Sequence, residues 1–404
     1  MSASHAAALP AVPDRLGVPA MVTMAAAAAV VIGGAALAWA FSSGAHTLAW
    51  SAYLIGAFYA LGLGVFGLVW VAIVNLAGGT WAVTMRRVPE AMSAWILPGG
   101  VLALLVILGA PSLYEWAHPD VVSANELLTH KAPFLNLRMF AILVGASVLV
   151  WTGFRALIVG ASQRQDREGG IGATRTMRTA SGAFLVVFAI TFSISAFYFL
   201  LSLDAHWFST MFAVLVFTDA AQTGTAFVTL VAALLVSAGA LRGFLNDNHL
   251  HNIGKMLFAW TGFWAYIYFC QFMLIWYANI PEETAYFLRR ASNGWLPFLL
   301  ALPALKFAIP FLVMIPRDAK RTPGRLIPVA VLVMFAQFWE LYLMVGPAVG
   351  EGEGAAQAHL PVVEFAGTIG FIGLFTLVFT WALSRCTPVP VKDPGLAAAL
   401  HYHS

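Results

Sequence analysis

Apolar residues run through this chain in ten long stretches broken by short polar connections, at about 18–41, 48–78, 91–113, 136–161, 180–202, 207–240, 253–280, 293–316, 325–348 and 360–384. Each meets or exceeds the ~20 residues that a helix rising 1.5 Å per residue needs to cross a bilayer. The pattern predicts ten transmembrane helices. The first stretch is longer than a signal-peptide core and only Arg15 precedes it as a basic residue, so it is expected to stay as a span. The largest connections, about 114–135 and 162–179, are near twenty residues each and hold no core of their own. The expected organisation is an N-terminal tail over 1–17, one membrane domain over 18–384 and a C-terminal tail over 385–404.

Composition agrees with the pattern. Hydrophobic residues make up 61% of the 404 and charged residues 10%, far from the roughly 25% charged of soluble domains. Charge then orients the chain. Sixteen of the 21 Lys and Arg fall on the side shared by the termini, four (Lys131, Arg138, Arg289 and Arg290) fall opposite, and Lys306 lies inside a span. The positive-inside rule places both termini in the cytoplasm, as expected of a multi-pass protein of a bacterial inner membrane. The net charge of +3 therefore reflects topology and gives no reason to expect nucleic acid as a partner.

The two cysteines, Cys270 and Cys386, form no CxxC or CxxCH arrangement, which excludes an encoded disulfide framework, iron–sulfur site or c-type haem attachment. His46, His118, His130, His206 and His359 fall in outer loops and His5, His249, His251, His401 and His403 on the opposite side, so no histidine pair stands at membrane depth for a b-type haem. No cofactor or metal is expected to be bound by this chain itself.

The candidate chemistry is in the ionisable residues within or beside the spans, because an isolated charge at mid-membrane costs at least ~2.5–3.5 kcal/mol and is seldom kept without use. Asp219 is about 12 residues, or roughly 18 Å, from the outer end of the sixth span, with Gln222 almost one turn further. Lys306 is near the middle of the eighth span. Glu340 is about 8 residues, or roughly 12 Å, inside the ninth, with Gln337 one turn away. These groups suit a structural ion pair, a proton-transfer chain or a substrate-ion site.

Two outer segments add polar groups. Leu203-Asp204-Ala205-His206-Trp207-Phe208-Ser209-Thr210 brings an acid, an imidazole and an indole together, as a quinone headgroup requires: hydrogen bonds to its oxygens and a carboxylate to take a proton. An interfacial Trp with solvated neighbours, or a surface for a partner subunit, fits the same residues. Tyr277-Ala278-Asn279-Ile280-Pro281-Glu282-Glu283-Thr284 is the densest acidic group beside a span. It reads either as a solvated loop balanced by Arg289 and Arg290, or as a proton exit or partner contact through Glu283. Glu115 with His118 in the third span's exit loop reads the same way. That exit and the seventh span's both carry Tyr, then Pro followed by an acid, as two similarly oriented four-helix bundles, spans 2–5 and 6–9, would produce, and as chance also could. Gly56, Ala60 and Gly64 on the second span would let a neighbouring helix approach closely.

The stretches 202–210 and 277–284, with Gly78-Gly79-Thr80-Trp81, Arg86-Arg87 and Tyr114-Glu115-Trp116-Ala117-His118-Pro119, resemble the NrfD-like (polysulfide-reductase membrane subunit type) proteins of bacterial alternative complex III, and among these the second, F-type subunit. The likeness runs through most of the chain, with Asp204-Ala205 standing where Glu-Pro is the family's pattern. It implies ten helices arranged as two four-helix bundles plus two flanking helices, an all-α polytopic membrane protein. It also implies membership of a quinol:cytochrome c or electron-acceptor oxidoreductase that uses a quinol such as menaquinol. Haem c and iron–sulfur clusters would sit in partner subunits: multihaem cytochromes, an iron–sulfur subunit, the paired NrfD-like subunit and small membrane subunits, with a terminal oxidase as a further candidate. This chain would then supply scaffold and proton path. On that reading Asp219, Lys306, Glu340, Glu283 and Gln222 form the path, and Asp204, His206, Trp207, Glu115 and His118 an outer quinone or subunit interface. A secondary transporter and a purely structural subunit are the alternatives.

Overall fold

The computed structural model describes residues 15–349 and 356–402. His5, His403 and most of the predicted N-terminal tail lie outside the described residues. The chain is an all-α polytopic membrane protein. Its ten long apolar helices are α1 Ala20–Ser42, α2 His46–Ala77, α3 Arg87–Leu113, α4 Leu137–Glu168, α5 Ile171–Phe199, α6 Phe212–Ser237, α7 Asp247–Ala278, α8 Leu296–Met314, α9 Pro323–Val345 and α10 Val362–Leu383. No strand occurs among the described residues. Helices suit this solvent because they satisfy their own backbone polar groups where no water is present.

Helices α2 to α5 pack on one another, as do α6 to α9, and the two groups meet where α2 and α5 lie against α6 and α9. Helix α2 is at the centre and is buried along most of its length. Helix α10 leans on α2, and α1 packs mainly on α10 with most of its surface turned outward. A Cβ on Gly33 of α1 would lie 2.5 Å from the Gly370 Cα of α10, so the two backbones touch as only small residues allow. On α2 the stripe of small residues serves two neighbours: Gly56 faces Phe371 and Gly367 of α10, while Gly64 faces Trp95 of α3.

Both described ends lie on one face, the near face. Leu16, Leu383 and Pro388 line one small cavity there, and Arg86, after α2, holds Asp393 of the tail. The opposite side is the far face.

Two expectations from apolar length differ from the structure. The connection after the fourth span is two residues, not about eighteen: Ser162 to Glu168 continue α4 beyond the apolar stretch, and Gly169 and Gly170 turn the chain with φ of 74° and 87°. Apolarity marks the membrane crossing; helix-forming polar residues can extend past it. The segment after α7 is the helix Pro281–Ala291, with Pro281 in its first turn, Glu282 and Glu283 near its N-terminus and Arg289 and Arg290 in its last turn, charges that complement the helix dipole at both ends.

Helices α3 and α8 are interrupted. In α3, 3₁₀ turns at Ser93–Trp95 and Leu105–Gly109 precede Pro98 and Pro111, whose missing N–H groups break the ladder. In α8 a π-helical segment, Ala304–Ala308, lies between Pro303 and Pro310 and carries Lys306.

Candidate functional site

Four helices of the second bundle converge on Lys306. Pro310 has no N–H to offer the Lys306 carbonyl one turn earlier, and Gln222 of α6 fills the gap, its Nε2 donating to that oxygen at 2.9 Å and to Thr261 Oγ1 of α7 at 3.0 Å. The break in α8 is thus tied to α6 and α7. The side chain of Lys306 is fully buried, and its ammonium donates to Asp219 Oδ1 of α6 at 2.7 Å, to Gln337 Oε1 of α9 at 2.6 Å, and to Glu340 Oε2 of α9. Gln337 and Glu340 are three residues apart and so share one face of α9. Thr223 Oγ1 donates to the same Gln337 oxygen at 3.1 Å, and the Trp264 indole N–H of α7 lies 3.2 Å from both oxygens of Glu340.

All three protons of the ammonium are used, whereas Asp219 Oδ2 and Gln222 Oε1 have no hydrogen-bond partner among the described residues. Two carboxylates face one ammonium. Unless one carboxyl carries a proton, the cluster holds a negative charge with no countercharge at contact distance. A proton shared between the two carboxyls would remove that excess.

The surroundings are asymmetric. Toward the near face, Ala226, Leu257, Met314, Val329, Ala330 and Val333 close the bundle in an apolar layer. Toward the far face, Glu340 borders a cavity of about 20 Å³ that is also lined by Tyr268, Gln271, Tyr286 and Arg290. Sideways, Trp264 separates Glu340 from an aromatic groove of about 720 Å³ between α7 and α8 that includes Tyr266, Phe269 and Phe311.

At the far face, Asp204 accepts from Arg289 Nη1 at 2.6 Å and from Arg290 Nη2 at 2.9 Å. Arg290 also donates to the carbonyls of Leu343, Met344 and Tyr286 and lies 3.4 Å over the Tyr286 ring. Burial pushes the Tyr286 hydroxyl up to about 12. Trp207 stacks on Tyr286 with centroids 4.0 Å apart and donates to the Glu283 carbonyl at 3.1 Å. The two arginines thus reach back to Asp204 and do not balance Glu282 and Glu283, because the helix places those acids at its other end. The turn at Asp204-Ala205 forms without proline: a 3₁₀ turn covers Leu201–Asp204, and Lys131 Nζ holds the Ala205 carbonyl at 2.6 Å. Around it a cleft of about 260 Å³ is bordered by Glu115, Asp204, His206, Trp207, Glu282 and Arg289.

The structure brings Asp219, Gln222, Lys306 and Glu340 together. Glu283 stands apart, half-buried at the far face, its backbone carbonyl accepting from Trp207 and its N–H donating to the Ile280 carbonyl at 3.0 Å. Asp204, Trp207, His206 and Glu115 share the cleft, where His206 Nε2 is 3.3 Å from Glu115 Oε2. His118 turns away to the Pro111 carbonyl at 2.8 Å. The repeated span exits diverge: Tyr114 is buried and donates to the Phe199 carbonyl, whereas Tyr277 is 83% exposed.

Sequence reasoning missed Trp264, Tyr268 and Gln271, which carry no mark in an apolar helix. It also used Arg86 and Arg87 for topology and for the family resemblance, without foreseeing their ion pairs. Both are buried: Arg86 pairs with Asp393 at 2.6 Å and Glu90 at 3.3 Å, and Arg87 pairs with Glu90 and Asp166. The spacing of Glu90, four and three residues after the arginines, was the available signal. No protein-family model and no curated protein matches the chain.

Proposed function

We propose that this chain is the scaffold and proton-carrying membrane subunit of a quinol:electron-acceptor oxidoreductase of the alternative complex III type, not catalytic alone, in a bacterial cytoplasmic membrane with its near face in the cytoplasm. The observation that carries the reading is the buried cluster of Lys306, Asp219 and Glu340. A buried ion pair stabilises a fold no better than apolar side chains of the same volume, so charges kept at this depth point to use. Oxidising a quinol releases protons and electrons together. Electrons would pass to haem c and iron–sulfur centres of partner subunits, and protons need a titratable group in the membrane, which these carboxylates provide.

The far-face cleft with Asp204, His206, Trp207 and Glu115 supports contact with a quinol headgroup or a partner subunit, and the aromatic groove beside Trp264 supports contact with lipid or a quinol's hydrocarbon tail. The break in α8 beside a buried charge favours a second reading, a secondary transporter. Such proteins interrupt helices at repeat-related positions. Here the counterpart of α8 is α4, continuous over Leu137–Glu168, and the counterpart of the broken α3 is α7, continuous over Asp247–Ala278. That mismatch supports the oxidoreductase subunit.

The test is to tag the chain in its native host, extract it in mild detergent, and record mass spectra and a reduced-minus-oxidised spectrum. Co-purifying c-type haem and an iron–sulfur subunit is the expected result. A haem-free protein without partners overturns the proposal in favour of the transporter.

A further inference from the structure

We propose that the buried cluster exchanges its proton with the far face and not with the near face, through one water position held by Gln271 and Tyr268, with the Arg290–Asp204 pair at the outer mouth. This rests on the reading of Asp219, Lys306 and Glu340 as a proton carrier, and adds its direction and route.

The direction comes from the layers around the cluster. On the near side, the six residues of the apolar layer, Ala226, Leu257, Met314, Val329, Ala330 and Val333, carry no hydrogen-bonding side chain, and of the two threonines of α6 buried at that depth, Thr225 and Thr229, the second is bonded back to the carbonyl of the first. On the far side, Glu340 borders a cavity of about 20 Å³, enough for a single water, which needs roughly 10–15 Å³ and two or more polar partners. Glu340 is one partner. Gln271 is another: it is 6% exposed, and its Oε1 is buried with no hydrogen-bond partner among the described residues. Leaving a buried amide oxygen unpaired costs about 1–3 kcal/mol, and a water donating to it removes that cost. Tyr268 borders the same cavity, and its hydroxyl can both accept and donate.

The route continues along Arg290 and Tyr286. Tyr286 borders both the cavity and the far-face cleft. Arg290 borders the cavity, holds the Leu343 and Met344 carbonyls, and reaches Asp204 with Nη2 at 2.9 Å. In the step proposed, the Glu340 carboxyl gives its proton to the water and becomes a carboxylate held by Lys306 and Trp264. The water, with Tyr268, passes a proton on to the Asp204 carboxylate as one of its arginine bonds opens. Asp204 releases that proton into the cleft and the bond re-forms. Nothing is oxidised or reduced in the step, and Glu340 is reloaded along the same water position by a proton that quinol oxidation releases at the far-face cleft. The fixed charge of Arg290 stands beside this route, so the opening and closing of its ion pair with Asp204 gates the exchange in both directions.

Radiolytic hydroxyl-radical footprinting of the intact complex tests the route without altering it. Met344, in the cavity wall, and Met314, in the apolar layer, are both buried, at 4% and 0% exposed. Labelling of Met344 and Tyr268 with Met314 silent is expected; equal labelling of the two methionines, or none of Met344, overturns the proposal. Proton appearance at the far face is the second measurement. Gln271→Leu is expected to slow it several-fold and Gln271→Glu to restore it. If Asp219→Asn slows release while Gln271→Leu does not, the route is wrong and the carrier reading stands. If neither has an effect, both fall. A variant that fails to assemble leaves the footprint on the native complex as the deciding result.

Discussion

At Lys306 three ammonium protons meet Asp219, Gln337 and Glu340, and this imbalance of one base against two acids sets what substitutions do. Lys306→Met strands two buried carboxylates and is expected to destabilise the protein by about 3–5 kcal/mol, read as a lower Tm in detergent. Adding Glu340→Gln should recover part of the loss. Asp219→Asn keeps the size and one acceptor, so the complex should assemble yet turn over more slowly; a purely structural cluster would instead fail at assembly. A separate pair at the far face gives a pH prediction. His359 Nε2 is 2.8 Å from Glu364 Oε1, and that hydrogen bond raises the imidazole above its usual 6.5. The folded value exceeds the unfolded one, so the contribution is fully present below 6.5 and is lost as pH rises through the folded value. The Tm gap between the native protein and Glu364→Gln should close as pH rises across that window. Depth along a span made Asp219, Lys306 and Glu340 legible as candidates in the sequence. Their mutual contact was not, because it depends on how four helices are rotated, and Trp264 and Gln271 look like any other residue of an apolar helix.

Among the elements, α8 couples backbone to site. The π segment between Pro303 and Pro310 and the role of Gln222 needed the structure. Pro310→Ala returns an N–H to the Lys306 carbonyl. Gln222→Leu is therefore expected to cost about 1 kcal/mol more in the native background than alongside Pro310→Ala, a coupling that a double-mutant cycle in Tm measures. Where α1 meets α10, the Gly33 and Gly370 backbones touch. Gly33→Leu should detach α1 and expose it to protease while the two bundles stay folded. The apolar stretches marked all ten spans, but the helix ends at Glu168 and Ala291 depend on polar helix formers that hydropathy does not register.

On the scale of the molecule, the two bundles differ in where they bury charge. The first holds Arg86, Arg87, Glu90 and Asp166 at its near face, closed by Asp393 of the C-terminal tail; the second holds its cluster at mid-depth with a cavity on the far side. The near-face network ties tail to bundle, and Asp393→Asn is expected to loosen the tail without slowing turnover, which limited proteolysis beside an activity assay would show. The proton-carrier reading is tested most directly in liposomes containing the assembled complex, as protons released per electron transferred with Asp219→Asn against native. A lower ratio with haem content and assembly intact is the predicted result. An unchanged ratio and rate would contradict it and leave the cluster a structural tie.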